Sequence, residues 1–204
     1  MKIGVFGGTF DPVHFGHLLL AETCRQKLEL TEVRFVPAGS PPHKADVKIT
    51  DGHVRADMLQ LAVSGYSEYT VDRRELRRRG PSFTVDTLTE LTSEFSEAEF
   101  FFLMGADSLR DVPGWRSPDR ITQLATVVAV NRPGLPMPTP AQVGEWVGSD
   151  LASRIQLVSM PGTDLSATEL RRRVREGQGL RFMTPKAVEA YIDQHGIYAE
   201  QPGH

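Results

Sequence analysis

The stretch Gly7-Gly8-Thr9-Phe10-Asp11-Pro12-Val13-His14-Phe15-Gly16-His17 follows a short apolar run, Lys2 to Phe6, and leads into an apolar helical run, Leu18 to Leu28. Strand, glycine turn and helix start, in that order, constrain the chain more than any other feature. Free backbone N–H groups at a helix start point outward and the helix dipole favours negative charge there, so the junction suits an anion. Two glycines let the backbone approach a phosphate with no Cβ in the way. His14 and His17, three residues apart, fall on one face of the first helical turn. An imidazolium there can hydrogen-bond phosphoryl oxygens as negative charge builds on them. The run lacks the Gly-Lys-Ser/Thr ending of a Walker A loop and is not Gly-x-Gly-x-x-Gly. An ordinary turn would explain Gly-Gly alone, but not Gly-Gly-Thr-Phe, Asp-Pro and His-x-Gly-His together. A histidine pair at i and i+3 can also ligate zinc. No cysteine or close carboxylate cluster completes a tetrahedral set, and no metal ligand is assigned.

Glu32 to Val36 reads as a second strand, stopped by Pro37. Strand, helix, strand at this spacing is a βαβ unit, which implies a parallel sheet with a right-handed crossover. Ligands then bind beyond the carboxyl ends of the strands, where the glycine turn lies. The loop after the second strand, Ala38 to Lys44, falls on the same rim, and Lys44 can reach a phosphate as a mobile point charge. Thr50 to Ala62 reads as a helix with Met58, Leu61 and Ala62 on one face, and Tyr69 to Val71 as a short strand. The charged run Asp72 to Arg79 reads as a solvated face. Pro81 to Thr87 opens a helix striped by Val85, Leu88 and Leu91, with Thr84 or Ser82 as its cap.

Glu99 to Met104 is a Phe-rich strand that ends in Gly105-Ala106-Asp107. Asp107 has two readings, a helix cap or a ligand to a ribose hydroxyl or an amine. Trp115, in a Pro-Gly-Trp loop, either packs in the core or stacks on a planar ligand. A short helix, Ile121 to Leu124, precedes the buried strand Thr126 to Val130, which puts Arg132 on the rim. A helix from Ala141 to Val147 and a last strand from Arg154 to Val158 follow. Ser166 and Glu169 form a capping box. The same helix start can bind phosphate oxygens through Ser166, Thr168 and their amides, with Arg171 one turn in. Thr184-Pro185 caps a final helix, Lys186 to His195, stopped by Gly196.

The chain of 204 residues is long enough for one domain with a full core. We read it as a single unit, 1–204, with a small C-terminal helical extension from about residue 165. A formal net charge of −3 argues against non-specific nucleic-acid binding, including through the Arg73–Arg79 run. The single cysteine, Cys24, fits a buried core thiol and a reducing compartment. The N-terminal apolar run is too short for a signal peptide, and no stretch approaches membrane-spanning length. The expectation is a cytoplasmic protein with no membrane partner; a homo-oligomer is left open.

The first motif resembles the signature of the nucleotidyltransferase superfamily that carries His/Thr-x-Gly-His. Further motifs extend the resemblance over nearly the whole chain: Pro41-Pro42-His43-Lys44, Pro81-Ser82-Phe83-Thr84-Val85-Asp86-Thr87-Leu88, Gly105-Ala106-Asp107, Trp115, Arg132-Pro133-Gly134 and Ser166-Ala167-Thr168-Glu169-Leu170-Arg171. They stand in the order seen in the bacterial nicotinate-nucleotide adenylyltransferase family. That family's late motif is usually Ile-Ser-Ser-Thr-x-Ile-Arg. Here Leu165, Ala167 and Leu170 depart from it, and Ala167 removes one hydroxyl.

The resemblance implies an α/β fold, a Rossmann-like parallel sheet flanked by helices. It also implies adenylyl transfer from ATP to nicotinate mononucleotide, giving nicotinate adenine dinucleotide and pyrophosphate, by direct in-line displacement. The implied roles are phosphate binding at Gly7, Gly8, Thr9, Phe10, Gly16, Lys44, Ser166, Thr168 and Arg171, and catalysis at His14 and His17. Asp107 and Arg132 would line the adenosine side, and Thr84 and Trp115 would hold the nicotinate nucleotide. Magnesium would arrive with ATP, bound mostly through water. Two other readings stand beside this one: phosphopantetheine adenylyltransferase, which would lack the mid-chain motifs, and a non-catalytic nucleotide-binding module on the same fold.

Overall fold

The computed structural model describes residues 1–40, 49–131 and 137–200. In chain order the elements are β1 (Lys2–Gly8), α1 (Phe15–Leu28), β2 (Glu32–Pro37), α2 (Gly52–Ala62), β3 (Tyr69–Val71), α3 (Arg74–Arg77), α4 (Thr84–Glu94) and β4 (Glu99–Gly105). After β4 come a 3₁₀ helix (Ala106–Gly114), α5 (Pro118–Leu124), β5 (Thr126–Asn131), α6 (Pro140–Val147), α7 (Ser149–Ala152), β6 (Ile155–Ser159), α8 (Ala167–Arg175) and α9 (Lys186–His195). The six strands form one parallel sheet in the order β3-β2-β1-β4-β5-β6. The chain therefore grows outward from β1 in one direction, returns, and grows from β4 in the other. The crevice beyond the ends of β1 and β4 is the topological switch point where such sheets bind ligands.

Alternation along the strands sends side chains to two cores. Ile3, Val5, Phe100, Phe102 and Met104 pack under α4, α5 and α6. Phe6, Val33, Phe35, Phe101 and Leu103 pack under α1 and α2. The C-terminal helices share this second layer: Leu170 of α8 and Val188 and Ile192 of α9 are buried in it. Gly4 permits close packing at the sheet centre, since a Cβ there would come within 2.8 Å of the Leu30 side chain.

Several local expectations need correction. Helix α1 begins at Phe15, three residues before the apolar run, so His14 is its N-cap rather than part of the first turn. Neither Ser82 nor Thr84 caps α4; the cap is Phe83, without a side-chain bond. Ser82 instead exchanges bonds with Ser40 across the gap between two loops. Ser166 does cap α8, accepting from the Glu169 amide at 3.2 Å. The Glu169 carboxylate does not close the box, because Arg172 holds it with two bonds. Thr184 does not cap α9 either: its buried hydroxyl donates to the Val13 carbonyl at 2.8 Å. The run Asp72 to Arg79 is only partly a solvated face. Glu75 is buried, and Arg74 and Arg78 are mostly covered, paired with Asp72, Glu90 and Glu94. Among the described residues, no helix is long and apolar enough to cross a membrane.

Candidate active site

Two cavities meet at the ends of β1 and β4. The first, about 290 Å³, is walled by Gly7, Gly8, Thr9 and Phe10, by His14, Gly16 and His17, and on the β4 side by Phe102, Met104, Gly105, Asp107 and Ser108. The second, about 300 Å³, runs from Ala38 and Glu75 past Ser82, Phe83 and Thr84 to Trp115 and Arg116. Gly7, Gly8, Phe102 and Trp115 belong to both walls. A group in one cavity thus faces a group in the other across the glycine pair.

The glycines and Phe10 explain each other. Phe10 adopts a left-handed backbone, φ 50°, which costs a non-glycine residue about 1–2 kcal/mol. Its ring is buried against Phe6, His17 and Phe35, with centroids 5.1–5.7 Å away, and this packing offsets the strain. The ring lies over Gly8, where a Cβ would sit 2.9 Å from it. At Gly7 a Cβ would touch only Phe102, at 3.7 Å. Space in front of Gly7 belongs to the two cavities, not to the protein's own packing.

The two histidines stack ring over ring, centroids 3.7 Å apart. They cap α1 reciprocally: each side chain faces the other's backbone amide, and His17 Nδ1 accepts from the His14 N–H at 3.2 Å. That bond places the proton of a neutral His17 on Nε2, as a donor. A Cβ at Gly16 would lie 2.9 Å from His14 Nδ1, so glycine between the histidines makes room for the stacked ring.

Of the other expected site residues, Asp107 is exposed on the first turn of the 3₁₀ helix and lines the first cavity. Trp115 is half-buried, edge-on to Phe102 at 5.8 Å, and touches both cavities; Thr84 lines the second. Ser166, Thr168 and Arg171 do not line either cavity; Leu165, just before them, does. Arg171 donates to the Asp11 carbonyl at 2.7 Å and to the Thr168 hydroxyl at 3.3 Å. Arg171 thereby supports the loop after β1. Lys44 and Arg132 lie outside the described residues.

Sequence reasoning missed three charged residues at the site. Arg55, on α2, is 1% exposed and reaches the carbonyls of Thr9, Ala38 and Thr50. Its place one turn before Met58 and Leu59 marked it as inward-facing. Glu75 lines the second cavity and accepts from the Thr87 hydroxyl at 2.6 Å, while burial pushes its carboxyl above the usual range. Arg116 lies over the Phe83 ring at 4.9 Å and 3.5 Å from the Asp86 carboxylate, at the mouth of the same cavity. No sequence signal singled out Glu75 or Arg116.

Among the described residues no three metal-binding side chains converge. The first cavity offers one described carboxylate, Asp107, with hydroxyls of Thr9, Ser108 and Thr163. Such a donor set suits a hard cation that enters with its own oxygen ligands and water.

Residues 5–173 match the model of the cytidylyltransferase-like family. A "probable nicotinate-nucleotide adenylyltransferase" of Thermomicrobium roseum is 44% identical over 97% of this chain and 91% of its own length. One of the same description from Thermus thermophilus is 44% identical over 97% of this chain and all of its own. The nicotinic acid mononucleotide adenylyltransferase of Plasmodium falciparum, solved with NaAD, shares the fold at TM-score 0.78 and 16% identity over 97% of both chains. The chain thus sets a switch-point cleft floored by Gly7-Gly8 beside a His-x-Gly-His helix start, and it belongs to the cytidylyltransferase-like family of nucleotidyltransferases. Within that family it falls among the nicotinate-nucleotide adenylyltransferases.

Proposed function

We propose that the enzyme transfers the adenylyl group of ATP to nicotinate mononucleotide, releasing pyrophosphate and forming nicotinate adenine dinucleotide, a step of NAD biosynthesis. The observation that carries this reading is the pair of cavities sharing Gly7, Gly8, Phe102 and Trp115 as one wall. Two nucleotides bound on either side of the glycine pair would bring a nucleophilic phosphate in line with an α-phosphorus. Binding both is the larger part of such catalysis, since it replaces an encounter by an oriented contact.

ATP is assigned to the first cavity. The Thr9 and Phe10 amides cradle the α-phosphate, and His17 Nε2 donates to it as charge grows in the transition state. His14, stacked on His17, holds that ring and faces the phosphates. Asp107 takes the ribose side. Lys44 and Arg132, on the rim by sequence, add positive charge toward the phosphates and the adenosine. The Ser166–Thr168 start of α8 lies behind Leu165, and Arg171 acts through the Asp11 carbonyl. Magnesium would arrive on the triphosphate, bound mostly through water, and would neutralise its charge, with the Thr9, Ser108 and Thr163 hydroxyls of the first cavity to hold its water shell.

Nicotinate mononucleotide is assigned to the second cavity, its ring against Trp115 and its carboxylate on backbone amides about Thr84. Amide donors suit a carboxylate, which only accepts, and the Arg116 guanidinium adds a favourable field. The acceptor phosphate attacks the α-phosphorus directly, the bond to the β-phosphate oxygen breaks, and no covalent enzyme intermediate forms. The whole chain acts as one nucleotidyltransferase unit, since α8 and α9 complete the core beneath α1. The free, buried thiol of Cys24 accords with a reducing, cytoplasmic setting.

The test is pyrophosphate release with magnesium-ATP and one acceptor at a time. Fast release with nicotinate mononucleotide, and a dinucleotide product by mass, is the expected result. Preference for nicotinamide mononucleotide would overturn the Thr84 and Trp115 assignment. Activity with phosphopantetheine alone would overturn the substrate, and release with none the enzyme reading.

A further inference from the structure

The most deeply buried charge in the site belongs to neither cavity wall. Arg55 stands on the first turn and a half of α2, and its guanidinium is spread among three neutral acceptors. Nε donates to Thr50 O at 2.8 Å, one Nη to Thr9 O at 2.7 Å, the other to Ala38 O at 2.7 Å. Among the described residues it has no carboxylate hydrogen-bond partner; Asp11, Asp51 and Glu75 act on it only through space. A buried cation held by carbonyls alone is a poor device for stability, since apolar side chains of like volume do as well. The three carbonyls, however, belong to the three segments that meet behind the glycine turn: the loop after β1, the loop after β2, and the lead into α2.

Peptide planarity turns these bonds into an orientation. In a trans peptide the C=O and the next N–H point in opposite directions. With the Thr9 carbonyl drawn toward Arg55, the Phe10 N–H points away from it. Thr9 and Phe10 both line the first cavity. The Ala38 carbonyl is drawn the same way, and the Gly39 N–H of that peptide goes to Glu75. Thr50 closes the circuit, since its amide donates to Asp11 Oδ2 at 3.2 Å, two residues past Thr9. Gly39 fits only without a side chain, because a Cβ would fall 2.4 Å from the Glu75 carbonyl oxygen.

We propose that Arg55 is a positioning residue for the nucleotide site, fixing the Thr9–Phe10 peptide with its amide toward the α-phosphate by gripping the loops after β1 and β2 at once. This rests on the assignment of ATP to the first cavity. The planar fork is needed to reach three acceptors; a lysine keeps the charge but offers one point of attachment.

The experiment compares wild type with Arg55→Lys and Arg55→Met, each checked for folding by thermal melting. The readout is the ¹⁵N–¹H signal of Phe10 during titration with a non-hydrolysable ATP analogue, with the analogue's affinity taken from the same titration. In wild type the Phe10 signal should move on saturation. In Arg55→Lys, folded, the movement should fall by at least half and affinity by about tenfold, the scale on which small misplacements act. A folded variant with a wild-type Phe10 response would overturn the inference while leaving the ATP assignment intact. A wild-type Phe10 signal indifferent to nucleotide would overturn the assignment and the inference with it. Loss of the fold in both variants would reduce Arg55 to a structural residue and also overturn it.

Discussion

The His14 and His17 rings stack with centroids 3.7 Å apart and planes 28° from parallel, and Gly16 is the residue that lets them. A β-carbon at position 16 would press on His14 Nδ1 at 2.9 Å. Gly16→Ala gains helix propensity of up to about 1 kcal/mol, so the melting temperature should hold or rise slightly. Turnover should fall about 10–100-fold, because the rings can no longer stack beside the phosphates. Steady-state kinetics and a melting curve on one preparation check both halves.

His17→Ala removes the Nε2 donor, together with the Nδ1 bond to the His14 amide and the edge contact with Phe10. The expected loss is about 10²–10³-fold in kcat with KM for ATP changed little, the pattern of an interaction made mainly in the transition state. Near-normal turnover in folded protein would remove His17 from the mechanism.

Much of the site was legible because its signals are local. Glycine pairs, a histidine spacing and apolar runs placed β1, the turn and α1 in their order, and the rim position of Asp107 followed from the end of β4. The apolar stripe of α4 and the apolar strands marked residues that fill the cores, though not their division into two layers. What was not legible depends on distant neighbours. Ser82 and Thr184 look like helix caps, yet Ser82 bridges to Ser40 and Thr184 to Val13, partners far off in sequence. Glu75 carries a charge that a sequence pattern assigns to solvent, and although the spacing on α2 turns Arg55 inward, nothing local shows that it meets carbonyls of three separate loops. The joining of the Thr84 segment to Gly7-Gly8 in one wall is set by the strand order, which no local motif encodes.

Tyr198 ties the C-terminal end to the loop after β1. Its hydroxyl donates to Asp11 Oδ1, whose other oxygen takes the Thr50 amide. Tyr198→Phe leaves that carboxylate one donor short, and should lower stability by about 1–2 kcal/mol in urea titration. An unchanged midpoint would mean that water or another group replaces the hydroxyl.

Glu22 should mark the acid limb of the stability curve. Its hydrogen bonds to Arg25, aided by those from Tyr69 and Gln26, hold its carboxyl down at about 2, against 4.5 ordinarily. A pKa lowered by folding adds stability that is fully present above about 4.5 and disappears as pH falls toward 2. The gap in urea midpoint between wild type and Glu22→Gln should therefore be widest near neutrality and close between pH 4.5 and 2. A gap independent of pH would show that the ion pair is not its source.

The central claim is a single direct displacement at the α-phosphorus, between nucleotides held on the two sides of Gly7-Gly8. The most direct measurement uses one diastereomer of ATP carrying sulfur on the α-phosphorus, with nicotinate mononucleotide as acceptor, and reads the configuration of the thio-dinucleotide product. One in-line attack inverts the centre, and inversion is what the account predicts. Retention would require an adenylylated enzyme between two displacements and would contradict it.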